Sequence, residues 1–184
     1  MSKAVLISIQ PKWCDLIARG EKTVEVRKSR PKLEPPFKCY IYRTKGTVKH
    51  LINDKWVNMP VGGTVIGEFV CDRVFRGSQG YTTFFWDICI PSRLTEEEII
   101  EYQGDASDIY GWHISELQIY DTPKELIEFF NPCIKNKYPY CLACEHGLKE
   151  VEQKPLDGLR YFDIPCVNRL KRPPQSWCYV EELP

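Results

Sequence analysis

The stretch Gly20-Glu21-Lys22-Thr23-Val24-Glu25-Val26-Arg27-Lys28 decides the interpretation of this chain. Strand alternation over residues 22–28 places Lys22 on one face, and Glu25 with Arg27 on the other. A carboxylate beside a guanidinium, directly after a helix-ending glycine, predicts a polar pocket. Lys22 joins the other two charges only if the strand twists or bulges near its start. The alternative is a solvated strand whose ion pairs contribute about 0–1 kcal/mol.

The flanking residues predict how this stretch is entered and left. Residues 4–9 are apolar and predict a buried first strand. Pro11 then suits the first position of a helix, where a missing N–H costs little, and Gly20 suits the position after its end. Residues 29–36 contain three prolines and predict a loop, after which residues 37–42 alternate as a third strand.

Short strands outnumber helices in the remainder of the chain. Strand patterns cover residues 48–57 and 64–75, a further strand is expected at 112–117 within 109–120, and the tail 172–180 is expected to end in a strand. Thr95 and Glu98 form a capping-box pattern that opens a helix, and a second short helix is expected from Thr122 to about Phe130. Strands separated by Gly and Pro turns, with few helices, predict an α+β protein built on a small mixed or antiparallel β-barrel with peripheral helices.

Composition limits the classes of function. The chain has 184 residues, enough for one domain, and 25 basic residues balance 25 acidic ones. A neutral protein does not coat duplex DNA by charge alone, although a local basic pocket stays possible. The first residues are too short for a signal peptide, and no apolar run approaches about 20 residues. We therefore expect a cytoplasmic protein without a membrane span.

Nine cysteines are a high count for a chain of this length. Without a secretion signal, a disulfide framework is not expected. Cys133, Cys141, Cys144 and His146 have a spacing that predicts a structural zinc site, in which Cys166 is a possible substitute ligand. Most of the other cysteines are expected to pack as small apolar residues, since Cys39, Cys71 and Cys89 lie inside strand patterns.

A family resemblance follows from the helix containing Pro11-Lys12-Trp13 and the Gly-x-Lys-x-x-Glu-x-Arg pattern that ends at Arg27. Together they resemble the ASCH domain family of the PUA-like superfamily. Later landmarks agree with it, at residues 65–68, 110–114 and 174–177. The resemblance implies a single PUA-like domain over residues 1–184, with insertions near 76–108 and 126–170. Similar proteins are encoded by bacteria and phages, and this resemblance fits a prophage origin.

The resemblance also implies a function. It places a cleft beside the barrel for RNA or a modified nucleobase, single-stranded or nucleotide-sized. The implied ligand-binding residues are Lys12, Trp13, Lys22, Thr23, Glu25, Arg27, Gln175 and Trp177. Lys12 and the helix N-terminus suit a phosphate. Trp13 either stacks on a base or packs on the barrel.

Two other classes of function stay open. Some ASCH proteins are amidohydrolases that act on an acylated cytidine, and others are linked to RNA cleavage. In a hydrolase, Lys22 would activate a nucleophile or water, and Glu25 or Glu68 would move protons. The amidohydrolase pattern has a threonine two positions after its lysine, where this chain has Val24. The third class is a protein-interaction module of a mobile element.

Several further side chains have two interpretations. Glu68 is either a general base or a structural partner of Lys22 or Arg27. The aromatic and polar residues of two later segments either form a stacking wall for the ligand or belong to the core and its hydrogen bonds; they are Trp112, His113, Gln175, Trp177 and Tyr179.

Overall fold

The computed structural model describes residues 2–77, 84–132 and 168–183, which form a mixed α+β fold with three sheets. The strands are β1 Lys3–Ile9, β2 Val24–Arg27, β3 Phe37–Arg43, β4 Gly46–Ile52, β5 Lys55–Val61, β6 Thr64–Cys71, β7 Val74–Gly77, β8 Ile109–His113, β9 Ser115–Lys124 and β10 Trp177–Glu181. The α-helices are α1 Pro11–Ala18, α2 Ile90–Ser92 and α3 Glu96–Gln103. A π-helical turn, Phe85–Cys89, precedes α2, and a 3-10 turn, Leu126–Glu128, follows β9.

Two helices begin as their local signals predict. Pro11 is the first residue of α1, and Gly20 follows its end with a φ of +70°, which glycine adopts without strain. Thr95 caps α3: its Oγ1 accepts from Glu98 N at 3.2 Å, and Glu98 Oε2 accepts from Thr95 N at 2.9 Å. Each of these helix signals involves residues close together in the chain, so the sequence alone predicts them.

The five-stranded sheet has the order β10-β1-β3-β6-β9. Only the β1–β3 pair is parallel; the other three pairs are antiparallel. Alternate residues of β1 enter two different cores: Val5 and Ile7 pack with α1 and Trp112, whereas Leu6 packs with Tyr40 and Phe129 on the opposite face. Both faces of the sheet are therefore covered, which explains the nearly continuous apolar sequence of β1.

The three-stranded sheet β2-β8-β7 lies on the α1 side of the larger sheet. Glu25 of β2 is directly opposite Trp112 of β8 in this ladder. A third core beneath this sheet joins Val26 to the π-helical turn and to Ile99 of α3. The segment that leads into α3 is thereby packed beside β2.

The third sheet is a two-stranded hairpin of β4 and β5. The sequence predicts one strand over residues 48–57, and this prediction is wrong because the chain turns within it. Asn53 and Asp54 occupy the turn with φ values of 50° and 60°. Asn and Asp tolerate this left-handed conformation better than most residues, and it matches the twist of a tight hairpin.

Four other predicted elements differ from the structure. The strand expected over residues 64–75 is divided into β6 and β7, and the strand expected over residues 112–117 is divided at Ile114 between β8 and β9. The strand expected over residues 22–28 is shorter, Val24–Arg27, because the turn after α1 continues through Glu21. The helix expected from Thr122 is absent from the described chain there: β9 continues to Lys124, and only the 3-10 turn Leu126–Glu128 follows.

The mixed β-rich class agrees with the α+β prediction. No ladder among the described strands closes the sheets into a barrel, so the barrel stays a prediction, as do the single domain and its two insertions. Across the described ranges, no helix has both the length and the apolar character needed to cross a membrane.

Candidate nucleotide-binding site

A cavity of about 760 Å³ lies where β1, α1, β2, α3 and the segment before β10 meet. Its lining comes from parts of the chain far apart in sequence. The lining residues are Ser8, Ile9, Gln10, Lys12, Trp13, Lys22, Glu25, Val26, Arg27, Thr44, Leu94, Glu98, Glu101, Tyr102, Gln175 and Ser176. Six of the eight residues expected to bind a ligand are in this set, and Thr23 and Trp177 are not.

Three buried charges lie together in this cavity. Lys22, Glu25 and Arg27 are only 2%, 3% and 9% exposed. Arg27 Nη1 is 2.6 Å from Glu25 Oε1, and Lys22 Nζ is 3.3 Å from Glu25 Oε2. Lys22 precedes the first residue of β2, so strand alternation does not apply to it, and it reaches the same side as Glu25. The sequence-based separation of Lys22 from Glu25 was therefore wrong.

Backbone carbonyls hold both cations in place. Lys22 Nζ donates to Ser92 O at 2.8 Å, at the end of α2. Arg27 Nη2 donates to Ser8 O at 2.6 Å, and Arg27 Nη1 donates to Val26 O at 3.0 Å. The cluster thus joins β2 to β1 and to the segment before α3, and its geometry is set before any ligand arrives.

The cluster keeps unused hydrogen-bonding capacity. Arg27 Nε is buried and makes no hydrogen bond within the described residues, and the buried Glu25 Oε2 has only the 3.3 Å ion-pair contact with Lys22 Nζ. Burial lowers the pKa of Lys22 from its ordinary value, although the charge of Glu25 opposes this shift. Buried charges with unused donors and acceptors are typical of a binding or catalytic site.

Two aromatic rings from different helices line the cavity. Lys12 Nζ lies 4.2 Å from the centroid of the Trp13 ring, and Lys22 Nζ lies 5.2 Å from it. Tyr102 of α3 is 39% exposed and has Lys28 Nζ 5.2 Å from its centroid. These are cation–π distances, so each ring has a cation near it as well as a surface in the cavity.

The wall formed by α3 was not predicted. Leu94, Glu98, Glu101 and Tyr102 line the cavity, although sequence analysis assigned this segment to an insertion. The capping box predicts the helix, but its position beside β2 depends on the packing of Ile99 with Val26. No local sequence signal reports such a long-range contact.

The segment before β10 supplies a polar edge. Gln175 and Ser176 line the cavity. Ser8 fixes this segment to β1, because Ser8 N donates to Ser176 O at 2.9 Å and Ser8 Oγ donates to Pro174 O at 2.6 Å. The exposed Gln175 amide therefore stands on an anchored backbone.

The other predicted ligand-binding residues lie outside the cavity lining. Thr23 makes backbone hydrogen bonds, from its N to Pro91 O at 2.9 Å and to its O from Ile114 N at 2.8 Å. Trp177 Nε1 donates to Ser29 Oγ at 3.1 Å, and its ring packs 5.9 Å from that of Trp112.

Three further residues that were candidates for a stacking wall are instead buried in a core or bonded to other protein groups. Trp112 is fully buried in the first core. His113 Nδ1 lies 2.5 Å from Asp72 Oδ1, and the hydroxyl of Tyr179 accepts from Lys32 N at 2.7 Å. For these three residues the interpretation as core and hydrogen-bonding residues matches their contacts.

Glu68 lies on the opposite face of the five-stranded sheet, in register with Tyr40 of the second core. It pairs with Lys38 at 3.1 Å and accepts from the Tyr120 hydroxyl at 2.5 Å. It does not line the cavity, and the expected structural pairing with Lys22 or Arg27 is absent. Its proton-transfer role finds no support in this position.

The predicted zinc ligands Cys133, Cys141, Cys144 and His146, with the substitute Cys166, lie outside the described residues. In the parts of the chain that the structure covers, no three His, Cys, Asp or Glu side chains are placed to hold a metal ion. The structural zinc therefore stays a prediction.

Comparison with solved structures finds ASCH proteins of Zymomonas mobilis. A crystal structure of a tyrosine-to-phenylalanine mutant of that protein has a TM-score of 0.57 at 18% identity, covering 98% of this chain and 92% of that one. A serine-to-alanine mutant has a TM-score of 0.57 at 17% identity, covering 97% and 89%. The crystal structure described simply as ASCH has a TM-score of 0.55 at 18% identity, covering 97% and 88%. At such identities the likeness concerns the fold alone.

A search of the curated proteins finds no significant match. The family model described as "ASCH domain" matches residues 7–119, which is more than half of the chain and contains the buried cluster of β2. This match agrees with the resemblance carried by the Gly-x-Lys-x-x-Glu-x-Arg pattern. The chain therefore belongs to the ASCH domain family.

Proposed function

We propose that the cavity binds a nucleobase, either in a single nucleotide or in a nucleotide of single-stranded RNA. The observation that carries the proposal is the buried cluster of Lys22, Glu25 and Arg27, with unused hydrogen-bonding atoms, in a cavity lined by Trp13 and Tyr102. Flat apolar faces suit a base, and fixed donors and acceptors suit its edge.

The size and charge of the cavity favour a small ligand of this kind. Its volume of about 760 Å³ lies in the range of small-molecule sites. Its lining includes three cations and three carboxylates, so it has no excess positive charge for a polyphosphate or a duplex. We expect one phosphate near Lys12 and the first turn of α1, and the base deeper, near Glu25.

The test is calorimetric titration with the four ribonucleoside monophosphates and their nucleosides. We expect Tyr102→Ala and Lys12→Ala each to weaken binding about tenfold, the first by removing a stacking surface and the second a phosphate contact. Lys32→Ala is the matched control, since Lys32 is also exposed but does not line the cavity. The proposal fails if the wild-type protein binds none of the eight compounds, or if both variants bind as the control does.

A hydrolase is the second candidate, and the lowered pKa of Lys22 favours it. A lysine whose pKa is lowered by burial loses its proton more easily and is better suited to act as a base or a nucleophile. Acylated nucleosides and short RNAs, incubated with the protein and separated by chromatography, test for turnover. Turnover that persists in Lys32→Ala and disappears in Lys22→Met supports the enzyme; no turnover on any substrate argues against it.

The expected barrel, the cellular location and the origin of the protein also remain proposals. A PUA-like barrel is supported by the β-rich fold and the family, and a cytoplasmic location by the sequence alone. A prophage origin rests only on the resemblance. The interaction module would gain support if no nucleotide or RNA bound and a protein partner were captured instead.

A further inference from the structure

The hairpin of β4 and β5 exposes a run of large apolar side chains. Trp56 is 69% exposed, Leu51 57%, Met59 42% and Val57 41%. The two strands form a ladder separate from both other sheets. Leu51 and Trp56 lie on one face of the hairpin, and Val57 and Met59 lie on the other, because strand residues alternate. A two-stranded hairpin alone is marginally stable in water, and large exposed apolar side chains on it favour an interaction surface.

One face of the hairpin combines stacking and polar groups. Leu51 is directly opposite Trp56, and Lys49 is directly opposite Asn58 one step along the ladder. Because these pairs are two residues apart on each strand, all four positions are on one face. An aromatic ring, an aliphatic side chain, a cation and an amide on one narrow strip match the needs of single-stranded nucleic acid.

The hairpin is also a basic region of a neutral protein. Residues 44–62 contain three lysines, Lys45, Lys49 and Lys55, against one carboxylate, Asp54. The whole chain has a net charge of zero. A net charge of +2 over this short segment favours a polyanion as the partner over an acidic or neutral protein surface.

The root of the hairpin adjoins the cavity. Thr44 lines the cavity, and Thr44 N donates to Ile9 O at 2.9 Å. A Cβ at Gly46 would lie 3.2 Å from Pro11 Cγ, so the start of β4 rests against the first residue of α1. Gly62, with a φ of +81°, completes the root close to the Thr44 carbonyl. From this root, seven-residue strands extend about 20 Å.

We propose that this face, Lys49, Leu51, Trp56 and Asn58, binds the part of a single-stranded RNA that continues beyond the nucleotide in the cavity. This proposal rests on the proposed function of the cavity, because Thr44 belongs to both the hairpin root and the cavity lining. It adds a statement about the substrate: the ligand is an RNA strand of several nucleotides, and a free nucleotide occupies only part of the surface.

The experiment compares two probes on each variant, a labelled RNA of about 12 nucleotides without self-complementarity, read by anisotropy, and a nucleoside monophosphate, read by calorimetry. We expect Trp56→Ala to weaken RNA binding about tenfold and to change mononucleotide binding less than twofold. Trp86→Ala is the matched control, since Trp86 is 64% exposed and does not line the cavity. Lys49→Ala should reduce the slope of log affinity against log salt by about 0.7, and Lys32→Ala should not.

The outcomes separate the two proposals. Equal RNA affinity of the wild type and Trp56→Ala overturns the hairpin proposal, as does RNA binding no tighter than mononucleotide binding. A change from dimer to monomer in Trp56→Ala, seen by sedimentation, also overturns it, because a second copy of the chain would then cover this face. RNA binding that depends on Trp56 without any mononucleotide binding supports the hairpin surface and rejects the proposed function of the cavity.

Discussion

Two clusters of charged side chains lie on opposite sides of the five-stranded sheet. They differ in how deeply they are buried and in whether all their polar atoms have partners. In the cavity cluster, the side chains of Lys22, Glu25 and Arg27 are 2%, 4% and 11% exposed, and two buried atoms lack hydrogen bonds. In the second cluster, those of Lys38 and Glu68 are 28% and 21% exposed, and both carboxylate oxygens have partners.

The second cluster connects elements without facing the cavity. Glu68 of β6 contacts Lys38 of β3 and Tyr120 of β9, and Lys38 also lies 3.5 Å from Glu182 after β10. Its charges stay in partial contact with water, so their burial costs little. The cavity cluster is different, because its charges are desolvated beside an open volume, and such desolvation is unfavourable for stability.

The largest expected effect is on stability, from Glu25→Gln. This change leaves Lys22 and Arg27 buried without a counter-charge, and we expect a loss of about 3 kcal/mol in the free energy of unfolding. Glu68→Gln removes a charge that is partly exposed to water, and we expect a loss of about 1 kcal/mol. Urea unfolding followed by circular dichroism measures both. Equal losses would show that the two clusters do not differ in desolvation.

The cavity cluster was only partly predictable from sequence. The family pattern identified Lys22, Glu25 and Arg27, since its residues lie close together along the chain. It could not place Lys22 beside Glu25, because that depends on where the turn after α1 ends and β2 begins. Helix α3 was predictable from Thr95, but its role as a cavity wall depends on packing between distant segments.

The second cluster was less predictable still. Glu68 stood out as an acid in an apolar strand, but its partner depends on the register between β3 and β6. That register shifts between Ile41 and Tyr42, and sequence alternation does not report such a bulge. Asn53 and Asp54 are residues typical of a tight turn, so the sequence does contain a signal against one continuous strand over residues 48–57.

The next effect concerns the pH dependence of stability, which should have opposite signs for the two lysines. The pKa of Lys22 is lowered by burial, so between its folded value and 10.5 the unfolded chain binds more protons. Stability contributed by this group therefore rises as pH increases through that window. The difference in unfolding free energy between the wild type and Lys22→Met should grow in favour of the wild type there.

Lys38 should behave in the opposite way. Burial lowers its pKa, but the hydrogen bond and the charge of Glu68, together with the charges of Tyr40 and Glu182, outweigh this, and the folded pKa lies above 10.5. Its contribution is complete below 10.5 and is lost as pH rises through the folded pKa. The unfolding free energy is measured against pH for the wild type and for Lys38→Met, and the second curve is subtracted from the first. The subtraction cancels the contributions of the thiols and phenols that titrate in both proteins. Slopes of the same sign for the two lysines would contradict the assigned burial.

The smallest expected effect is the change in nucleotide affinity caused by Tyr120→Phe, and it tests whether the second cluster is only structural. The change removes the hydrogen bond to Glu68 Oε2 but keeps the ring, and Lys38 still neutralises the carboxylate, so we expect a loss of about 1 kcal/mol in stability. Nucleotide affinity should stay within about twofold of the wild type, since Tyr120 does not line the cavity. Tyr102→Phe is the companion variant, because it also removes one hydroxyl and lies at the cavity. If Tyr120→Phe weakened nucleotide binding more than Tyr102→Phe, the two sides of the sheet would be coupled, and the second cluster would belong to the binding machinery.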